Sequence, residues 1–206
     1  MSGQRLVLLG DSILDNYPYT MPELDTTAHL NRILAPAWSA ELLAVDGATM
    51  DRVASQLDRL DGRPDVAVLS IGGNDMTSHV DLLMRRDTSA AEVFEELLTI
   101  ADEFAEQYER VASAVAGRAQ RTVLCTIYEV QLEPPIAARL VRVPLGVIND
   151  RISRIGSQLG LEVLELRSVC TVPEDFVYQI EPSAQGAAKI ASAIAALVRN
   201  ESAIVT

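Results

Sequence analysis

Ser12 lies in Gly10-Asp11-Ser12, directly after the apolar run Arg5-Leu6-Val7-Leu8-Leu9. A short unbroken apolar run closed by glycine reads as a buried strand. The space outside strand carboxyl ends is where open α/β sheets bind ligands. A serine at that place suits nucleophilic acyl transfer, which needs a base for the hydroxyl proton and donors aimed at the developing oxyanion. A second polar turn, Ser70-Ile71-Gly72-Gly73-Asn74-Asp75, follows the run Val66-Ala67-Val68-Leu69. Its two glycines permit a tight turn that presents Asn74. Bases are scarce. The chain has only His29, within Thr26-Thr27-Ala28-His29-Leu30-Asn31, and His79, five residues past Asn74. A solvated or structural histidine is the plainer reading of each.

These blocks, together with Gly47 after Leu42-Leu43-Ala44-Val45, resemble those of the SGNH (GDSL-type) esterases and lipases, from Leu6 to the end of the chain's last helical pattern. The resemblance implies Ser12 as nucleophile. It also implies three oxyanion donors: the main-chain N–H groups of Ser12 and Gly47 and the side-chain amide of Asn74. A glycine at 47 has a physical rationale, since the absent side chain lets backbone approach a reacting carbonyl. Asp11 and Asp75 are expected to hold loops through backbone N–H groups. Gly73 and Tyr128 are expected at the pocket, where Tyr17, Tyr19 and Tyr128 can form an apolar or stacking wall.

The departure is near the C-terminus. The family's Asp-x-x-His-Pro element is matched by Tyr178-Gln179-Ile180-Glu181-Pro182. Glu181 therefore stands at the histidine's place and Tyr178 at the aspartate's, while Asp175 comes three residues too early. A carboxylate with pKa near ~4.3 is a weak base for serine, but burial can raise it toward neutrality. Alternatively, Glu181 is a polar loop residue whose charge favours the N-terminus of the helix that follows.

Two functional readings follow. One is a serine esterase-like hydrolase of a small acyl ester, with Ser12, Gly47, Asn74 and an atypical base, Glu181. The other is a catalytically impaired pseudoenzyme that binds a small ligand in the same pocket. A metal site built from Asp11, Asp46, Asp75, Glu129 and Glu181 is a weaker idea, because carboxylates at turns in an acidic protein more simply cap backbone and meet solvent. No cofactor is expected.

The elements that must position these groups are legible as alternating patterns. Apolar runs at Leu6–Leu9, Leu42–Val45, Val66–Ser70, Val123–Ile127 and Val163–Leu166 lack strict alternation, as parallel strands covered on both faces do. Between them, Met50, Val53, Leu57 and Leu60 recur at helical spacing after a Thr49 N-cap. Val93 through Val115 trace a long helix, Ile148 through Leu159 another that stops at Gly160, and Ser183 caps a last helix. Pro144 marks a helix start better than an interior. Asn16 to Pro22 and Glu129 to Pro135 read as loops. The alternation predicts a single domain over 1–206, a doubly wound three-layer α/β/α sandwich with a five-stranded parallel sheet. The flavodoxin-like strand order 2-1-3-4-5 is what the resemblance implies.

At 206 residues, 49% of them hydrophobic, the chain can build one substantial core. A net charge of −12, with Lys189 the sole lysine, argues against nucleic acid and anionic membranes as partners. A small-molecule ester or ligand is the expected partner, and oligomeric state leaves no mark. Cys125 and Cys170 read as free core thiols. The N-terminus lacks a secretory pattern and no run approaches the roughly 20 apolar residues of a membrane span, so a cytoplasmic location is expected.

Overall fold

The structure is a computed structural model that describes residues 3–79, 82, 85 and 88–199. In chain order the elements are β1 (Gln4–Gly10), α1 (Tyr17–Thr20), α2 (Thr26–Leu34), β2 (Trp38–Leu42), a 3-10 turn (Met50–Arg52) running into α3 (Val53–Asp58), β3 (Val66–Ser70) and α4 (Gly73–Thr77). The second half contains α5 (Ala90–Arg118), β4 (Arg121–Cys125), α6 (Pro135–Leu159), β5 (Glu162–Leu164), the hairpin β6 (Phe176–Val177) and β7 (Glu181–Pro182), and α7 (Ala184–Val198). The five main strands form one parallel sheet in the order β2-β1-β3-β4-β5. That is the doubly wound order the resemblance implies.

Both faces of the sheet are covered. Val7, Leu9, Ala67 and Leu69 pack toward Val53, Leu57, Phe104, Tyr108, Ile148 and Ile152 of α3, α5 and α6. Leu6, Leu8, Val66 and Val68 pack toward Leu30 and Leu34 of α2 and Ile190 and Ile194 of α7. Fully burying each such side chain contributes about 1.5–3 kcal/mol. Because both faces are buried, the central strands carry apolar residues at consecutive positions, which is why β1 and β3 stand out in the sequence. In register, Gly10 lies opposite Ser70, so the two polar turns leave the sheet side by side.

Five expectations are corrected. The second strand is Trp38–Leu42, not Leu42–Val45. β2 lies at the sheet edge, where polar residues are tolerated, and the apolar stretch beyond it still follows β1: Leu43 and Ala44 donate to Leu8 O at 2.9 Å and Val45 to Gly10 O at 3.0 Å. The fourth and fifth strands likewise start and end earlier than their apolar runs. Pro144 lies inside α6 rather than at its start. The helix interior loses one hydrogen bond there, and Leu140, four residues earlier, is exposed, so water can serve its carbonyl. Thr49 does not cap its helix through its side chain. Asn16 to Pro22 is not all loop, since Tyr17–Thr20 make one helical turn.

Candidate active site

The first turn is built by Gly10. Its φ is +127°, and a Cβ there would lie 1.7 Å from Ser70 O, so only glycine fits. Gln56 of α3 clamps the same peptide: Gly10 N–H donates to Gln56 Oε1 at 2.8 Å, and Gln56 Nε2 donates to Gly10 O at 2.7 Å. Asp11 N–H donates to Ser70 O at 3.1 Å, and its carboxylate accepts from Ile13 N–H at 3.1 Å. Ser12 is thereby held at the carboxyl end of β1, 8% exposed. Gln56 was not among the sequence-derived site residues. A polar residue on the buried face of an amphipathic helix was the signal that could have revealed it.

The second turn brings Asn74. Gly72 has φ +112°, and a Cβ on it would strike the Phe104 ring at 2.8 Å. One Asn74 amide proton is committed to Ala48 O at 2.9 Å, leaving the other available. Asp75 accepts from Met50 N–H through both carboxylate oxygens, at 3.1 and 3.2 Å, and so takes the capping role expected of Thr49. Asn74 and Asp75 together tie α4 to the segment that carries Gly47, whose φ is +73°. Among the described residues, the main-chain N–H groups of Ser12 and Gly47 donate to no protein acceptor.

Glu181 arrives on the hairpin β6–β7. Tyr178 and Gln179 form its turn with φ of 48° and 72°. Tyr128 braces it from below, donating from its hydroxyl to Ile180 O at 2.7 Å and packing edge-on against Phe176. Burial raises the Glu181 pKa above its ordinary value, the neighbouring Ser12 side chain lowers it, and the charge of Asp46 raises it, with a net upward shift. Glu181 Oε2 is buried without a hydrogen-bond partner. Tyr178, at the aspartate's place, is 79% exposed and packs against Tyr19. Asp175 is fully buried but turned elsewhere, toward Lys189 Nζ, Gln185 and the N–H groups of Thr171 and Val172.

The other carboxyls respond to the same surroundings. Burial drives the Asp11 pKa up to about 8, helped by the nearby charges of Glu181 and Asp75 and opposed by its bond to Ile13. That shift favours the uncharged acid form of Asp11 at neutral pH. Asp75 is also raised by burial, against the pull of Met50 N–H. Asp46 accepts from the Tyr19 hydroxyl at 2.8 Å, and its N–H donates to Asp15. Glu129 pairs with Arg142 at 2.8 Å. Among the described residues no group of three or more His, Cys, Asp or Glu side chains is arranged to hold a metal ion.

Among the described residues neither histidine makes a side-chain hydrogen bond to Ser12. His29 lies on α2, which packs against α7 and β2. His79 lines the cleft beyond Asn74 but makes no side-chain hydrogen bond to the serine. Cys125 and Cys170 are free and buried.

From Ser12 and Glu181 a cleft of about 570 Å³ runs between α4, α5 and α6. Its floor includes Leu97, Ile100 and Ile148, and its rim carries Phe94, Leu140 and Val143, each at least 45% exposed. The start of the apolar stripe expected along α5, Val93, Leu97 and Ile100, supplies part of this lining, and the exposed Phe94 extends it. No described helix is long and apolar enough to cross a membrane.

A serine and paired turns at the carboxyl ends of β1 and β3, in this strand order, define the fold of the SGNH hydrolases. The chain matches the model of the GDSL-like lipase/acylhydrolase family over residues 8–189, and it belongs to that family. Its fold is shared by an extracellular lipase from Streptomyces rimosus, at 14% identity and a TM-score of 0.70 over 96% of this chain and 99% of that one. A phospholipase A1 from Streptomyces albidoflavus matches at 16% identity and 0.71, over 98% and 100%. An acetyl xylan esterase from Geobacillus stearothermophilus, in its W215I form, matches at 18% and 0.65, over 100% and 98%. No curated protein is significantly similar in sequence.

Proposed function

We propose that the protein is a serine ester hydrolase in which Glu181 replaces the usual histidine. The observation that carries this reading is that Ser12 and Glu181 line the same cleft, the serine acting on a half-buried carboxylate whose pKa is raised. A base is most useful when its pKa approaches the working pH.

Ser12 Oγ attacks the acyl carbonyl while Glu181 takes the hydroxyl proton. The carboxylate becomes a neutral acid, and its negative charge passes to the tetrahedral oxyanion. The N–H groups of Ser12 and Gly47 and the second amide proton of Asn74 receive that charge. Glu181 then returns the proton to the departing alcohol, and the acyl group stays on Ser12. Water attacks the acyl-enzyme with Glu181 again as base, releasing the acid and restoring the serine.

Keeping Asp11 neutral matters for this cycle. A second negative charge beside Ser12 would oppose the oxyanion and raise the Glu181 pKa further.

The alternative is a binding protein with an impaired site. It is favoured by the absence of a carboxylate at Tyr178 to orient the base. Turnover of p-nitrophenyl butyrate between pH 4 and 9 separates the two. The hydrolase reading predicts loss of activity in Ser12→Ala, a fall of at least a hundredfold in Glu181→Gln, and a rising limb set by a single carboxyl above 4.5. Equal rates for wild type and Ser12→Ala would leave the binding reading standing.

A further inference from the structure

We infer that the substrate is an ester of a medium- or long-chain acid with an alcohol that bears no negative charge, its acyl chain lying in the cleft between α5 and α6. The inference rests on the hydrolase reading above. The site has two unlike sides. On one, the cleft of about 570 Å³ is lined mainly by apolar side chains, Val93 and Leu97 of α5 and Val141 and Leu145 of α6 among them. An acetyl group would leave most of it unfilled, and a sugar or peptide would meet few polar partners beyond the Ser12 and Glu181 end, Thr77 and His79 among them. On the other side, past Glu181, stand Asp46, which accepts from the Tyr19 hydroxyl at 2.8 Å, and Asp15; burial, then that bond and the charges of Glu181, Asp46 and Asp15, raise the pKa of the Tyr19 phenol.

The chemistry assigns the two ends of the ester. The acyl part remains bonded to Ser12 through the intermediate, and the apolar cleft suits the part that stays. The alcohol must collect the Glu181 proton and depart, and the exposed side bearing Asp46 suits the part that leaves. Like charges placed together there oppose a phosphate-bearing alcohol. The same field expels the carboxylate product after hydrolysis.

Chain length and leaving-group charge can be varied separately. Across p-nitrophenyl esters from acetate to decanoate, kcat/KM is expected to rise about fourfold per methylene until the cleft is filled, and at least a hundredfold in all. Val93→Trp, which projects an indole into the cleft from α5, is expected to cut the decanoate-to-acetate ratio at least tenfold. Val141→Trp does the same from the opposite wall and is read if Val93→Trp does not fold. Decanoyl glycerol is expected to exceed decanoyl glycerol 3-phosphate by on the order of tenfold at low salt, with the gap closing as salt screens the charges.

Ser12-dependent turnover that peaks at acetate or butyrate, or that is indifferent to the phosphate at low salt, overturns this inference and leaves the hydrolase reading intact. Absence of Ser12-dependent turnover on every ester overturns the hydrolase reading, and this inference with it.

Discussion

Replacing Asp11 by asparagine should make the protein more stable at neutral pH and leave it unchanged in acid. The native carboxyl titrates at about 8, whereas an unburied aspartate titrates at 3.8. The folded state therefore binds this proton more tightly than the unfolded one. The contribution of the group is fully present below pH 3.8 and is lost as pH rises toward 8. The slope is about 1.4 kcal/mol per pH unit, and three units separate 3.8 from neutrality. The cost of retaining the proton at pH 7 is thus up to about 4 kcal/mol.

Asparagine has no proton to retain, and its Oδ1 can still accept from Ile13 N–H, which holds the turn. Urea denaturation of wild type and Asp11→Asn from pH 4 to 9 should give curves that meet near pH 4, diverge up to pH 8 and then run parallel. At pH 7 the Tm should be higher in the variant by about 10 °C, at the 2–4 °C per kcal/mol typical of domains this size. Curves that stay parallel from pH 4 to 8 would show that Asp11 is not a buried neutral acid, and the argument for an uncharged residue beside Ser12 would fall with it.

Two substitutions test the turns themselves. Asn74→Ala should lower kcat by about 10²–10³ with little change in KM, the loss expected for one oxyanion donor, and should cost roughly 1 kcal/mol of stability from the missing bond to Ala48; kinetics and a melt on one preparation read both. Gly10→Ala forces a Cβ onto Ser70 O in a left-handed conformation, so a loss above about 4 kcal/mol is expected, read as a collapse in Tm or in soluble yield.

The two central strands and both polar turns were legible because burial on both faces demands unbroken apolar runs, and sharp turns demand glycine. β2 was misplaced because edge strands are not under that demand: Ser39 and Glu41 interrupt its pattern. Pro144 misled because its missing N–H matters less where a helix faces solvent. The hairpin β6–β7 has strands of two residues and a turn of non-glycine residues at positive φ, so no pattern announced it. Positions for Ser12, Asn74 and Glu181 could be read from motif order. Tyr128 at the pocket was expected too, but its bond to Ile180 O, the Gln56 clamp on Gly10 and the burial of Asp11 depend on contacts between residues dozens of positions apart. The apolar cleft was hidden because Val93, Leu97, Ile100 and Ile148 fall in regular helical stripes, and periodicity does not say which part of a stripe is left uncovered by its neighbours.

The central claim is that Glu181 activates Ser12. The rate at which a fluorophosphonate labels Ser12, measured from pH 4 to 9 in wild type and Glu181→Gln, tests it without any assumption about substrate. The account predicts labelling that rises with pH along one carboxyl titration above 4.5 and falls at least a hundredfold in Glu181→Gln. Equal labelling of the two proteins, or a wild-type Ser12 no more reactive than in the unfolded chain, would contradict it.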